Sequence, residues 1–289
     1  MATVTGPPNP TTSAPQGPVT IIEPVGGLMF PDLRELWRRR DLLRLFVRRD
    51  IAVRYKQSIA GGLWAVLQPV GLAAVFSVFL GLLAKVPSQT GIPYPVFALS
   101  GMVAWLFFTN CLSRSSDSTV ASSDLISKVY FPRFAIPLAA ALAPILDFAV
   151  AFVVVVGALL VYGEPIGPRI LLIPLIVPLM LALALGAGLW LSALYVRFRD
   201  IGLVVPFVIQ VGLFITPIIY PFSLLPDNLR LVYGLNPLVG VLELYRWMLF
   251  PSAAWPGLVV LVPVIVAPLV LVTGAAFFER SQRGFADVI

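Results

Sequence analysis

Residues 170–196 read ILLIPLIVPLMLALALGAGLWLSALYV, an apolar run without a charged side chain. In a helix, about 20 apolar residues are enough to cross the hydrocarbon core of a bilayer, which is about 30 Å thick. Similar stretches lie at about residues 63–84, 96–113, 136–162, 202–221 and 257–278. The sequence therefore predicts an all-α membrane protein with six transmembrane helices.

The composition of the chain agrees with a lipid environment. Of the 289 residues, 59% are hydrophobic and 12% are charged, and the mean hydropathy is +0.95. Soluble domains are nearer half apolar and a quarter charged. Several stretches contain prolines, among them Pro69, Pro178 and Pro206. Membrane helices tolerate proline because neighbouring helices can satisfy the freed backbone groups.

Missing residue types exclude several kinds of chemistry. The sequence has no histidine and a single cysteine, Cys111, so it offers no Cys/His zinc site, no disulfide within the chain and no Ser-His-Asp or Cys-His catalysis. It also lacks the G-x-x-x-x-G-K-[ST] loop that cradles nucleotide phosphates. We therefore expect that this chain is not an enzyme and binds no cofactor, and that Cys111 is a packing residue.

The positions of lysine and arginine indicate an orientation. With the N-terminus inside and six spans, 16 of the 20 basic residues fall on the cytoplasmic side, and the other four are Lys85, Arg169, Arg230 and Arg246. This bias follows the positive-inside rule. We predict a multi-pass inner-membrane protein with both termini in the cytoplasm. The net charge of +6 is then a topology signal, and no nucleic-acid partner is expected.

The residues before the first span divide into two segments. Residues 1–30 are rich in Pro, Thr and Gly and are expected to form a disordered tail. Residues 31–57 interleave arginines with apolar residues at helical spacing, which predicts an amphipathic helix in the cytoplasmic membrane interface. Gly61 and Gly62 are expected to break this helix, and residues 58–289 form the transmembrane domain.

Two connections have predicted structure of their own. Residues 222–256 contain an apolar run interrupted at Asn236-Pro237, and a full span there would bury Glu243 and Arg246 at high cost. We predict instead an external re-entrant helix pair between spans 5 and 6. Residues 113–133 predict a long cytoplasmic loop, polar at first, with a short helix that ends at Pro132.

Six stretches in order resemble the ABC-2 type permeases, in particular the branch that exports lipid-linked polysaccharides such as O-antigen. They are residues 48–57, 64–69, 128–133, 195–200 and 216–221, and Asn236-Pro237 with Arg246. The resemblance implies a bacterial inner-membrane permease subunit that pairs with a second copy of itself. It also implies two separate ATPase subunits that bind ATP and Mg, and a polysaccharide on polyprenyl diphosphate as cargo among the membrane lipids.

The resemblance further implies which elements couple the chain to its ATPase. These are the helix at 31–57 and the segment 122–133, whereas the external helices shape the exit. The coupling residues implied are Asp124, Leu125, Lys128, Tyr130, Phe131, Arg133, Arg197, Arg199 and Asp200. For the last three, a role in pinning helix ends together is the alternative.

The other charged candidates also have two interpretations each. Four cations, Arg48, Arg49, Arg54 and Lys56, could hold the lipid diphosphate at the entrance, because arginine binds phosphate oxygens in a bidentate manner. They could equally be ordinary positive-inside charge. Asp147, the one clear acid inside a span, either lines or gates the substrate path or pairs with another helix.

The candidates for a pore or gate at the exit are Tyr220, Asn236, Pro237, Glu243 and Arg246. Tyr220 belongs to an external group of aromatic side chains that either stack on sugar rings or form the usual interfacial belt. Glu243 and Arg246 lie three positions apart on a helix and could simply pair.

Other functions remain open from the residues alone. The chain could be an ABC-2 permease for another cargo, such as teichoic acid, a glycolipid or a drug. A membrane enzyme acting on polyprenyl phosphate would need a cluster of acidic ligands or a nucleophile at one face. An ion-coupled carrier would need several ionisable groups inside the membrane, and only Asp147 is evident.

Overall fold

The fold comes from a computed structural model, which describes residues 33–56, 61–88, 91–128, 131–282 and 285. The expected tail at 1–30 and the boundary expected at 57–58 lie outside these ranges. All regular structure within them is helical, which confirms the all-α prediction. The α-helices are α1 Leu33–Arg38, α2 Arg40–Lys56, α3 Gly61–Phe76, α4 Tyr94–Ala121, α5 Ser123–Lys128, α6 Ala135–Leu142, α7 Pro144–Val161, α8 Ile173–Arg197, α9 Ile201–Ile215, α10 Asp227–Gly234, α11 Pro237–Leu249 and α12 Leu261–Ser281.

Five helical stretches in the described ranges are long and apolar enough to cross a bilayer. They are Gly62–Leu83, Tyr94–Ala121, Ala135–Val161, Pro168–Arg197 and Gly257–Ser281. The first joins α3 to a π-helical segment, Ser77–Leu83. The third joins α6 to α7 through Ala143, which keeps helical dihedral angles before Pro144. A multi-pass membrane protein is therefore confirmed.

The second span is longer than the sequence predicts. It was expected to end at residue 113 and give way to a polar loop, but α4 continues to Ala121 and has 28 residues. Two of its hydroxyls have partners: Ser118 donates to the Ser115 carbonyl of the same helix at 2.7 Å, and Thr119 forms a hydrogen bond with Ser192 of α8 at 2.6 Å. The hydroxyls of Ser115 and Ser116 are buried without a partner among the described residues. The prediction was wrong because a serine-rich helix resembles a loop in composition.

The fifth predicted span contains a shorter helix. The apolar run at 202–221 suggested one helix, but α9 covers Ile201–Ile215 and has 15 residues, which is about 22 Å at 1.5 Å per residue. Thr216 is extended, with φ −90° and ψ 136°, because a proline, here Pro217, disfavours helical dihedral angles in the residue before it. Residues 216–221 are therefore not part of this helix, and a sixth span stays a prediction.

The N-terminal segment also differs from the single helix that was predicted. A turn at Arg39 divides it into α1 and α2. α2 ends at Lys56, before Gly61 and Gly62, as expected, and these two glycines begin α3. Glycine is accepted at a helix start because it needs no particular side-chain partner there.

The core lies around α4. In the most apolar part of the second span, 78% of the residues are buried inside the bundle, whereas the corresponding share for the first span is 11%. Helix α4 is therefore central and α3 is peripheral. α8 and α12 pack closely through glycines. A Cβ atom at Gly186 would lie 2.6 Å from the backbone nitrogen of Leu271. Small residues allow this close approach of membrane helices.

The segment between spans 5 and 6 contains two short helices, α10 and α11, which meet at Leu235 and Asn236. The helix pair and its junction agree with the prediction. Its external, re-entrant placement stays a prediction. The end of the bundle where α4, α8 and α12 finish and α6 begins carries Arg133, Arg197 and Arg280 and is called the basic end below.

Candidate functional site

An ion pair joins the N-terminal helices to the inside of the bundle. Asp147 of α7 is buried, and its Oδ2 lies 2.5 Å from Nη1 of Arg54, near the end of α2. The hydroxyl of Tyr55 donates to the other carboxylate oxygen at 2.5 Å. Burial and this hydrogen bond to Asp147 raise the pKa of Tyr55 to about 12, so the hydroxyl remains a donor at neutral pH. Of the two interpretations of Asp147, the geometry favours the pairing between helices.

A cleft lies beside this ion pair, between α2, α3, α4 and α7. Its free volume is small, about 20 Å³, which is room for about one water molecule. The polar lining consists of Arg54, Gln68, Asn110 and Asp147, and the other lining residues are apolar. The sequence analysis identified both charged residues but did not pair them: Arg54 was a candidate for the lipid diphosphate, and Asp147 a candidate for the substrate path or for a pair with another helix. It gave no role to Gln68, which lies in the family-like stretch 64–69, and it missed Asn110, which no charge or motif distinguishes.

A second buried charge lies in α11. Arg246 is fully buried, and its Nη1 donates to the carboxylate of Glu243 at 3.1 Å and to the Pro217 carbonyl at 2.9 Å. Its Nη2 donates to the Ile218 carbonyl at 2.7 Å. The guanidinium also lies over the ring of Phe97, 4.0 Å from its centroid. The predicted Glu243–Arg246 pair is therefore present, but two of the three hydrogen bonds that Arg246 donates go to backbone carbonyls of another segment.

That segment is residues 216–219, which follow α9 and are tied to it by the hydrogen bond from the Thr216 amide to the Gly212 carbonyl at 2.9 Å. Besides Pro217 and Ile218, the Ile219 carbonyl accepts from the hydroxyl of Tyr94 at 2.6 Å. Buried carbonyls need partners, and here side chains of α4 and α11 provide them. Gly101 permits the contact, because a Cβ atom there would lie 2.5 Å from the Ile218 oxygen.

The remaining exit candidates surround the same segment. Asn236 caps α11 by accepting from the Leu238 amide at 3.0 Å, and Pro237 is the first residue of that helix. The Asn236 amide lies 3.4 Å from the Thr216 hydroxyl. Tyr220 donates to the Phe214 carbonyl at 2.9 Å. The structure therefore brings Asn236, Pro237, Glu243 and Arg246 together with the chain after α9.

At the basic end, the predicted coupling residues are close to the N-terminal helices. Phe131 is buried against Phe46 of α2, with ring centroids 5.5 Å apart, and Leu125 of α5 packs on the same cluster. Arg133 donates to the carbonyl of Gln282, just beyond α12. The backbone of Lys128 ends α5, and Asp124 is exposed in its first turn. Tyr130 lies outside the described residues.

The other basic candidates are on the surface. Arg48 and Arg49 are exposed, and Arg49 pairs with Asp50 at 2.9 Å. Arg197, Arg199 and Asp200 are exposed where α8 ends and α9 begins. Lys56 is the last residue of α2, and its side chain is outside the described part of the structure. Of the four predicted entrance cations, only Arg54 is seen inside the bundle.

The five candidate spans in the described ranges, the basic end and the buried ion pairs are the architecture of a multi-pass membrane protein. The chain belongs to the ABC-2 type transporter family, which matches residues 41–250. This confirms the resemblance noted in the sequence.

Several relatives carry transport names. The O-antigen export system permease protein RfbA of Myxococcus xanthus is 26% identical over 260 residues, which are 89% of this chain and 98% of the relative. A protein of the same name from Klebsiella pneumoniae is 29% identical over 250 residues, or 86% and 95% of the two chains. The polysialic acid transport protein KpsM of Escherichia coli is 26% identical over 238 residues, or 81% and 91%.

Proposed function

We propose that this chain is the permease subunit of an ABC exporter that moves a lipid-linked, O-antigen-like polysaccharide across the bacterial inner membrane. The observation that carries the proposal is the near full-length similarity to permeases named for O-antigen export. Relatives named for polysialic acid transport extend the likeness to another polysaccharide. Two copies of the chain pair, and each docks one ATPase subunit, which binds the ATP and Mg.

In this proposal, six spans cross the membrane, both termini are cytoplasmic, and the basic end faces the cytoplasm. The arginines Arg133, Arg197 and Arg280 at this end support that orientation through the positive-inside rule. α10 and α11 then lie at the external side, where they dip into the membrane and shape the exit beside residues 216–219.

The ATPase docks on the surface made by α2, α5 and the segment from 131 to 133. Packing of Phe46 on Phe131 and of Leu125 on the same cluster supports this assignment, because a movement of α5 would be passed to α2. The bond from Arg133 to Gln282 links the same surface to α12. Arg197, Arg199 and Asp200 extend it along the basic end.

Reconstitution tests the proposal. The chain is co-purified with a candidate ABC ATPase from the same genome, placed in proteoliposomes and supplied with lipid-linked polysaccharide and ATP. We expect ATP-dependent movement of the glycan, and ATP hydrolysis that requires this chain. The proposal fails if no complex forms, or if a drug or a glycolipid stimulates hydrolysis and the lipid-linked polysaccharide does not.

A charge reversal tests the docking surface separately. Arg199→Glu changes an exposed residue at the end of α8 and is expected to reduce the amount of ATPase that co-purifies. Arg230→Glu, near α10 at the other end of the bundle, is the matched control. Equal loss of ATPase in both variants would place the docking surface elsewhere.

A further inference from the structure

An arginine and two tryptophans meet at the end of the bundle opposite the basic end. Arg169 belongs to a short 3-10 helix, Pro168–Leu172, that leads into α8. Its guanidinium lies over the indole of Trp247 of α11, 4.6 Å from the ring centroid. The ring of Trp247 also makes an edge-to-face contact with Trp255, with centroids 4.9 Å apart. These three side chains, from three separate parts of the chain, are called the Arg–Trp cluster below.

The guanidinium of Arg169 has no hydrogen-bond acceptor among the described residues. The side chain is half-buried, and its Nη1 atom is buried without a hydrogen bond. Other cations at this end are accommodated differently, since Arg230 and Arg246 donate to backbone carbonyls and Lys85 is exposed. Attraction to the indole face offsets part of the cost for Arg169, but it does not supply the oxygen acceptors that N–H donors require. Arg169 is therefore suited to an acceptor from outside the chain.

The length of the fourth span places the Arg–Trp cluster at the level of the lipid headgroups. The span Pro168–Arg197 has 30 residues, or about 45 Å at 1.5 Å per residue, whereas the hydrocarbon core is about 30 Å thick. Arg169 is the second residue of the span and Arg197 is the last, and both charges are costly inside the core. The excess length is therefore shared between the two headgroup layers, where lipid phosphates are found.

Exposed apolar side chains follow the Arg–Trp cluster along both neighbouring spans. They are Leu171 and Leu175 at the start of the fourth span, and Leu258 and Leu261 at the start of the last one, and each is more than half exposed. A ligand at Arg169 would thus find a cation at the headgroup level and apolar surface beneath it. This combination fits an anionic amphiphile better than a free sugar, which needs polar partners along its whole length.

We propose that the Arg–Trp cluster binds the phosphate of an anionic phospholipid of the phosphatidylglycerol type. Arg169 donates to the phosphate oxygens, which its planar fork of donors matches. Trp247 holds the guanidinium in place through its indole face. Trp255 packs beside the glycerol, because an indole has an apolar body and a polar N–H suited to this layer. The site goes beyond the proposed function, since it does not depend on the cargo.

Lipid binding is measured on the full chain, purified in a neutral detergent and freed of native lipid. Native mass spectrometry counts the dioleoylphosphatidylglycerol molecules bound at increasing lipid concentration. The proteins are the unchanged chain, Arg169→Gln, Arg169→Lys and Trp255→Ala. The matched control is Lys85→Gln, which removes an exposed positive charge from the same end of the bundle. Thermal unfolding without added lipid shows whether each variant is folded.

We expect Arg169→Gln to weaken the tightest phosphatidylglycerol site by about tenfold or more, because charge-assisted hydrogen bonds are lost. Arg169→Lys keeps the charge without the fork and should weaken binding a few-fold, as should Trp255→Ala. Lys85→Gln should stay within about twofold of the unchanged chain.

Two results overturn the proposal. One is an unchanged chain that binds phosphatidylglycerol no more tightly than phosphatidylcholine. The other is equal binding by Arg169→Gln and Lys85→Gln. If Arg169→Gln does not fold, equal binding by Arg169→Lys and Lys85→Gln overturns the proposal instead.

Competition separates the possible sources of the anion. Dioleoylglycerol, which lacks the phosphate, should not displace phosphatidylglycerol. Inorganic phosphate should displace it only weakly, and displacement at an equal concentration would show a site for free phosphate and overturn the assignment to a lipid. Trisialic acid, a soluble acidic sugar, tests the other class of ligand. If it displaces phosphatidylglycerol at an equal concentration, the Arg–Trp cluster is a glycan site and the proposal is overturned.

Discussion

The carboxylate of Asp147, in the middle of the third span, lies 2.5 Å from the guanidinium of Arg54 in α2. Both side chains are mostly buried, with exposed fractions of 10% and 19%. The pair therefore fixes the end of an N-terminal helix to a membrane-spanning one. Its geometry leads to the first two predictions.

Asp147→Asn should destabilise the protein by about 2–4 kcal/mol, because it leaves the charge of Arg54 without its partner in a mostly buried place. The measurement is the thermal unfolding midpoint of the purified protein in detergent. The control is Asp41→Asn, whose carboxylate is 85% exposed and pairs with Arg44; this change should cost less than about 1 kcal/mol.

The double variant Arg54→Gln/Asp147→Asn should recover part of that loss, because it removes both charges together. Equal midpoints for Asp147→Asn and Asp41→Asn would contradict a stabilising role for the pair.

Tyr55→Phe removes the hydroxyl that donates to Asp147, and its effect should depend on pH. The pKa of Tyr55 is raised from 10.0 to about 12 in the folded protein, chiefly by burial. The contribution of this group to stability is therefore fully present below about pH 10 and is lost as the pH rises through about 12. The difference in unfolding midpoint between the two proteins should be constant from pH 7 to 9 and should shrink by pH 11.

Arg246→Lys should be far more damaging than its conservative chemistry suggests. Lysine has one donor centre, whereas the Arg246 guanidinium reaches Glu243 and the carbonyls of Pro217 and Ile218 together. We expect a loss of about 3 kcal/mol or more, seen as a low yield of monodisperse protein. Arg230→Lys is the control, because Arg230 is half-buried, unlike the fully buried Arg246, and donates to the Ser223 carbonyl at 2.7 Å. Similar yields from both variants would show that the fork geometry is unimportant.

Two glycine substitutions should have opposite outcomes. Gly101→Ala places a Cβ atom 2.5 Å from the Ile218 oxygen, so α4 and the 216–219 segment must separate, at about 1–3 kcal/mol. Gly157→Ala adds the same atom in α7 where nothing lies within 4 Å, and helix propensity makes it neutral or slightly stabilising. The test compares the thermal unfolding midpoints of the two variants with that of the unchanged protein. A midpoint for Gly157→Ala below that of Gly101→Ala would contradict the prediction.

The spans could be predicted because their signal is local. Apolar runs of about 20 residues have few alternatives to a membrane helix, and the stretches predicted at 136–162 and 257–278 differ from the helical ones by only a few residues. Local signals also explain the errors. Serines in α4 suggested a loop, although they are buried in the bundle, where Ser118 donates to the backbone of its own helix. The end of α9 was missed although Thr216-Pro217 signals it.

The candidate site depends on contacts between distant residues. Tyr55 and Asp147 are 92 positions apart, and no periodicity or motif pairs them. Charge alone identified Asp147 as a residue that needs a partner, because an isolated carboxylate inside a membrane is costly. It could not distinguish Arg54 from the neighbouring arginines. Asn110 gave no signal, because a neutral amide side chain occurs in many surroundings, and Gln68 was part of the family-like stretch 64–69 without a predicted role.

The contacts of Arg246 also impose an order on the making of the protein. Pro217 is synthesised 29 residues before Arg246, whose guanidinium binds its carbonyl. Until α11 has left the ribosome, the carbonyls of Pro217 and Ile218 must find water or other temporary partners. The C-terminal part of the fifth apolar stretch therefore reaches its final form only after a later helix has been translated, and a chain arrested between residues 220 and 245 would lack that form.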